Sequence, residues 1–145
     1  THSAWGQIQV YRGHVGYVTE QMLHISNHRV FPGYSWSFSD ALYTVVGPKI
    51  MAGGSNSEFD LLYTLRDDQL YRGSALYSSQ IAFTYREGKI YKGDSTFPLD
   101  ILYTYENGVI YAGNSRVAGD ALYYVEDSPT VTELFAILLA LDLIS

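Results

Sequence analysis

Several types of side chain in this sequence could do chemistry, and aspartate, serine and threonine recur at fixed spacing. Asp40, Asp60, Asp100 and Asp120 stand twenty residues apart or at multiples of it, with Glu20 and Gln80 filling the missing steps. Each of the four follows a serine by five residues: Ser35, Ser55, Ser95 and Ser115. A carboxylate beside a hydroxyl can hold a sugar or contribute to a calcium site. Calcium needs several oxygens converging on one point, and no dense acidic cluster is present. Asp and Ser also close turns on their own backbone, and the regular spacing favours that role. Thr44, Thr64, Thr84 and Thr104 form a second ladder, which reads as strand composition; one threonine per unit is too sparse to template ice.

His2, His14, His24 and His28 crowd the first quarter of the chain. His24 and His28 flank an expected turn, but no acidic residue joins them at metal-ligand spacing and the chain has no cysteine. No nucleophile-elbow motif is present, so the sequence points away from an enzyme, and it calls for no cofactor. The residues that stand out are aromatic. Tyr34, Trp36 and Phe38 alternate through one loop ahead of Asp40, and Tyr77 and Phe97 occupy comparable places in later loops. Aromatic rings beside hydroxyls and a carboxylate suit stacking on a sugar or docking on a protein. The six residues Tyr34, Trp36, Phe38, Asp40, Tyr77 and Phe97 are therefore the candidate ligand site, on loops expected at one mouth of the fold.

These positions are set by one repeat. Gly13, Gly33, Gly53, Gly73, Gly93 and Gly113 lie at intervals of twenty, as do Tyr43, Tyr63, Phe83, Tyr103 and Tyr123. A fixed period of this size marks a repeat architecture. In the unit from Asp100, the runs 101–105 and 109–112 are rich in β-branched and aromatic residues, and Asn107-Gly108 between them is a strong hairpin signal. Glu87-Gly88, Asp67-Asp68 and Asn27-His28 take the same place, and Gly47-Pro48 is less regular. Each unit is a β-hairpin followed by a polar loop. A two-residue turn pairs Tyr105 with Ile110 and Tyr103 with Ala112, and puts Ile101, Tyr103, Tyr105 and Ile110 on the core-facing side.

The pattern starts half a unit in. Residues 8–12 read as a second strand without its first, and 121–125 as a first strand whose partner is cut off by Ser128-Pro129. Pairing the two orphans closes the sheet and removes both edges; an open stack of hairpins is the alternative. Thr130 and Glu133 read as a capping box, and the run 134–141 is apolar on every side, which requires burial all round. The expected fold is an all-β, twelve-stranded antiparallel barrel, residues 7–127, with a helix over 130–144 threaded through it and ringed by the period-locked tyrosines and phenylalanine. One domain accounts for all 145 residues.

In layout this is similar to tubby-like and scramblase-like domains, twelve strands around a hydrophobic C-terminal helix. That resemblance implies lipid or phosphoinositide binding. A net charge of −6 and scattered cations provide no basic patch for it, nor for nucleic acid. The hairpin rhythm also resembles choline-binding repeats, whose cages need paired tryptophans in each unit; only Trp5 and Trp36 occur here. The function expected is non-catalytic binding of a glycan through the aromatic loops. The competing class is a structural or protein-interaction module. Thr1 in place of a methionine reads as a processed form or a fragment.

Overall fold

The computed structural model describes residues 7–13, 21–33, 35 and 37–145. Glu20, His2, His14, Tyr34 and Trp36 lie outside the described residues. Twelve strands are found among those described: β1 (Ile8–Arg12), β2 (Gln21–Ser26), β3 (Arg29–Pro32), β4 (Tyr43–Val46), β5 (Lys49–Ala52), β6 (Leu61–Arg66), β7 (Gln69–Arg72), β8 (Ile81–Arg86), β9 (Lys89–Lys92), β10 (Ile101–Glu106), β11 (Val109–Ala112) and β12 (Ala121–Glu126). They pair antiparallel in sequence order, and β1 joins β12 with Val10 opposite Val125, so the barrel is closed. The open stack of hairpins is excluded.

The hairpins have the register their turns dictate. Tyr103 faces Ala112 and Tyr105 faces Ile110. Both residues of the Asn107-Gly108 turn have positive φ, as do those of Asn27-His28 and Asp67-Asp68, the geometry whose twist matches the flanking strands. Gly47-Pro48 reverses the chain with positive φ at Gly47 alone, because proline is held at negative φ.

Every first strand but β4 begins with a bulge. Tyr91 pairs with Ile101 and Ile90 with Tyr103, leaving Leu102 over; the same slip leaves Leu62, Ala82 and Leu122 over in their strands. This corrects the simple alternation. Leu102 packs with Tyr103 against the core and Ile101 does not, because a bulge puts two successive residues opposite one. The carbonyl of the bulged residue then receives the N–H of the period glycine: Gly113 donates to Leu102 at 2.8 Å, Gly73 to Leu62 at 2.7 Å and Gly13 to Leu122 at 2.9 Å. All six period glycines have positive φ, from 46° to 86°, which side chains with a Cβ rarely adopt. The twenty-residue glycine therefore belongs to the bulge.

Inside the barrel, Val10, Val30, Ile50, Leu70, Ile90 and Ile110 form one fully buried ring. Leu23, Tyr43, Tyr63, Phe83, Tyr103 and Tyr123 form a second. The helix α1 (Val131–Ala140) packs against both through Leu134, Phe135, Ile137 and Leu138, and Phe83 meets Phe135 with ring centroids 6.3 Å apart. Thr130 and Glu133 cap it reciprocally, as the sequence signature requires. The helix enters from the hairpin-turn end, where β12 delivers it. It spans about 15 Å and ends sooner than expected. Asp142 takes positive φ and donates to the Leu139 carbonyl while Leu143 donates to that of Leu138, which unwinds the last residues. Tyr103 Oη then donates to the Leu143 carbonyl at 2.8 Å, tying the helix exit to the far end of the barrel.

Candidate functional site

The outer wall of the barrel is itself covered. Tyr11, Phe31, Met51 and Tyr91 are equivalent by period, belong to no part of the central core, and are nonetheless buried. Beside them stands the threonine ladder, which is not a free array. Thr44, Thr84 and Thr104 are buried, and Thr44, Thr64, Thr84 and Thr104 each donate a hydroxyl hydrogen bond of 2.7–2.8 Å to a period-glycine carbonyl, from Gly53 to Gly113. In the first hairpin His24 stands where four others have threonine, and its Nδ1 meets the Gly33 carbonyl at 2.7 Å. Burial lowers the pKa of His24, opposed in part by that bond. His24 is thus a structural residue stacked on Phe31. Among the described residues no group of His, Cys, Asp and Glu could hold a metal ion.

The covering is supplied by the loops. Each ends in a short 3-10 turn: Phe38–Asp40, Glu58–Asp60, Ser78–Gln80, Pro98–Asp100 and Ala118–Asp120. The serine–aspartate pairs lock these loops, with Ser35, Ser95 and Ser115 each donating to its aspartate at 2.6 Å. In the loop without aspartate, Gln80 accepts from the N–H groups of Leu76 and Tyr77 and donates to the Arg72 carbonyl. Side chains near the turn end then hold the loops against the wall. Lys49 pairs with Glu58, Glu106 with Arg116 at 2.7 Å, and Arg66 donates to the Ala75 carbonyl at 3.2 Å.

This changes where the expected site residues stand. Phe38, Tyr77 and Phe97 are exposed, at 62 %, 68 % and 72 %, and Asp40 is exposed and bonded to Ser35. They sit on loops distributed around the circumference. The loop of Phe38 is separated from that of Tyr77 by the loop of residues 53–60, so these residues are not all neighbours around the barrel. Tyr77 and Phe97 are on neighbouring loops. Two residues the sequence reading passed over are more exposed still, Phe59 at 100 % and Leu99 at 98 %. Each sits in the middle of a 3-10 turn, a position that cannot reach the wall.

One joint in this ring is different. β3 and β4 pair only through Arg29–Thr44 and Val30–Tyr43. Leu23 faces Pro32 two pairs beyond the Ile25–Val30 step, so the backbone nitrogen of Pro32 points toward β4, and proline has no hydrogen to donate there. Beside this short ladder lies a groove of about 300 Å³ lined by Asn27, His28, Arg29, Thr44 and Asn56. A smaller concavity of about 180 Å³, lined by Ser26, Arg29, Phe31 and Phe38, lies on the other side of Arg29. The Arg29 guanidinium stacks over the Phe38 ring, 4.6 Å from its centroid, and its Nε donates to the Gly54 carbonyl at 3.2 Å. A third cavity, about 400 Å³, opens where the helix emerges, lined by Arg72, Phe83, Lys92, Leu143 and Ser145. Arg72 is occupied there, donating to Tyr63 Oη and the Ser145 carbonyl.

The closed sixfold ring of hairpins, each with its own outer loop, matches a family described as the 6-fold beta flower protein over residues 10–138. The chain belongs to that family. No curated protein and no solved structure matches it. In this chain the outer loops are the petals of that flower, set around a plugged barrel.

Proposed function

We propose that this beta flower protein is a non-catalytic binding module that presents its petals to a partner, with a glycan as the ligand class. The observation that carries this reading is the combination of exposure and fixation in the loops. Phe38, Phe59, Tyr77 and Phe97 are more than half exposed, while the loops bearing them are held by serine–aspartate bonds, glutamine bonds and ion pairs. Apolar rings kept in water on pre-ordered backbone lose little conformational freedom on binding, which is what a recognition surface needs. Trp36, predicted from sequence as part of the same surface, belongs to the petal of Phe38.

A glycan array probed with the intact protein and with the Trp36→Ala, Tyr77→Ala and Phe97→Ala variants tests the proposal. Saturable binding that an individual substitution weakens by tenfold or more supports it. A second reading is favoured by Leu76, Leu99 and Val117, exposed aliphatic side chains that offer contact area but no ring face for a sugar. On that reading the petals contact protein, and concentration-dependent association in sedimentation, reduced by Leu99→Ser and indifferent to sugars, would replace the glycan proposal.

A further inference from the structure

We infer that the seam between β3 and β4 is a binding site for a carboxylate-bearing saccharide, with Arg29 gripping the carboxylate and the adjoining groove accepting the sugar ring. The inference rests on the glycan reading above and assigns it a place and a charge.

The first ground is where departures from the repeat fall. Arg29 is the sole arginine, Phe38 the sole aromatic and Gly54 the sole glycine at their positions of the twenty. The equivalents of Arg29 are Gln9, Lys49, Gln69, Lys89 and Val109; those of Gly54 are His14, Tyr34, Ser74, Asp94 and Asn114; and no other unit has an aromatic at the place of Phe38. These three lie on three successive segments of the chain, yet they meet. The guanidinium covers the Phe38 ring and bonds the Gly54 carbonyl. A Cβ on residue 54 would come within 2.9 Å of that ring, so glycine is what lets the ring lie there.

The second ground is the chemistry left over. Lys49, at the position equivalent to Arg29, is neutralised by Glu58, and Lys89 donates to Thr104. Arg29 spends only Nε, and among the described residues no partner takes its two Nη groups. Guanidinium presents a rigid planar fork that matches a carboxylate in a bidentate pair, and stacking on Phe38 fixes the orientation of that fork in advance. Both concavities are lined by Arg29, so an oxyanion held by it has space beside it. The larger, about 300 Å³, is at the lower end of the size range of small-molecule sites. Its side chains suit a polyol: Asn27 and Asn56 provide amide donors and acceptors, and the Thr44 oxygen can still accept.

The test is a titration of the full chain with D-glucuronic acid, D-glucose and inorganic phosphate at low ionic strength, followed by proton–nitrogen correlation spectra. The expected result is saturable shifts for the Arg29 Nε–H and the amides of Asn27, His28 and Asn56, with glucuronate at least tenfold tighter than glucose. R29K keeps the charge and loses the fork, and should weaken glucuronate at least tenfold. G54A keeps Arg29 but displaces the Phe38 ring, and should weaken it several-fold. Both variants alter partly exposed groups, and unchanged spectra elsewhere will show that they fold. Equal affinity for glucose and glucuronate, or phosphate binding as tightly as glucuronate, overturns the proposal. So does a glycan-array signal that Tyr77→Ala removes and R29K leaves intact, although the broader binding reading then stands. Silence from every saccharide in both assays removes both.

Discussion

At the junction of β9 with β10, Lys89 faces Thr104, Ile90 faces Tyr103, and the ladder continues past a bulge to Tyr91 opposite Ile101. At the junction of β3 with β4, the same joint of the repeat, pairing covers Arg29–Thr44 and Val30–Tyr43 and then lapses. Both joints have a buried threonine bonded to a period-glycine carbonyl, and both sit over the same helix. Two of the residues by which they differ bear on this pairing. Pro32 removes a donor on the side that should reach β4, and Phe38 takes up the arginine that would otherwise lie along the wall. The closed barrel lets one joint be loosened without exposing an edge, since the chain on either side of it is held by the remaining hairpins and by the plug.

The largest effect should come from the element both joints share. Removing residues 130–145 empties the lumen and should leave no cooperative unfolding transition at either joint; a truncated protein that melts cooperatively as a monomer would rule out the helix as the common core. Phe135→Ala, milder, should cost about 3–5 kcal/mol in denaturant unfolding, the usual range for a fully buried phenylalanine. Hydrogen exchange would show whether that loss is shared: amides of β3 and β4 should open together with those of β9 and β10.

Next in size is the threonine bond. Thr104→Val replaces the hydroxyl by a methyl of similar shape and leaves the Gly113 carbonyl without its donor, a cost of about 1–2 kcal/mol. Thr44→Val should cost less if the short β3–β4 ladder lets water reach the freed Gly53 carbonyl. Equal losses measured by chemical denaturation would mean that the seam is as tight as the regular joint.

Acid and alkali separate the two regions in a different way. In the regular region Tyr105 is pushed up to about 12, first by burial and then by the neighbouring Tyr85 and Tyr124. Burial likewise raises Tyr103, with Tyr123 adding to it. A folded pKa above the usual value of about 10 means that stability is complete below pH 10 and is lost as pH rises toward 12. Tyr105→Phe should flatten that alkaline decline in a series of melting temperatures. In the first hairpin the sign reverses. His24 is held below 6.5 by burial, so its contribution is present above that pH and is lost as pH falls below it. His24→Thr, which installs the residue of four other units, should remove His24's share of the acid sensitivity and leave the alkaline limb unchanged.

Much of this frame could be read from the chain. Asn107-Gly108 set the hairpin register because that dipeptide tolerates two positive φ values in succession, and the orphan strands at 8–12 and 121–125 implied closure. The bulges could not be read, since Leu102 is as apolar as Ile101 and period alone does not choose between them. Nor could the return of the petals to the wall, which depends on pairs such as Glu106–Arg116 that simple strand patterns do not announce. At the seam, Phe38 stood out as aromatic but Arg29 did not, because its partners lie nine and twenty-five residues further on. The signal was available in the repeat itself: three positions out of step with their periodic equivalents, in adjacent units.

The smallest effect is expected from Pro32→Ala, and it addresses the difference between the joints most directly. The substitution supplies an N–H on the side of β3 that faces β4, worth about 1 kcal/mol if it finds a carbonyl. It also frees the unfolded chain that proline had restricted, which costs about 0.4–1 kcal/mol. The two nearly cancel, so the melting temperature should hardly move, and the informative observable is the new amide. If the seam is short because a donor is missing, the residue 32 N–H should exchange slowly and β4 should extend toward Ala41, as β10 does from Ile101. If instead the Arg29–Phe38 stack holds the joint apart, that amide should exchange quickly and extension should require Phe38→Ala as well. The first outcome makes the seam an accident of one proline beside an otherwise regular wall. The second makes it a consequence of the same contact that holds the arginine fork in place.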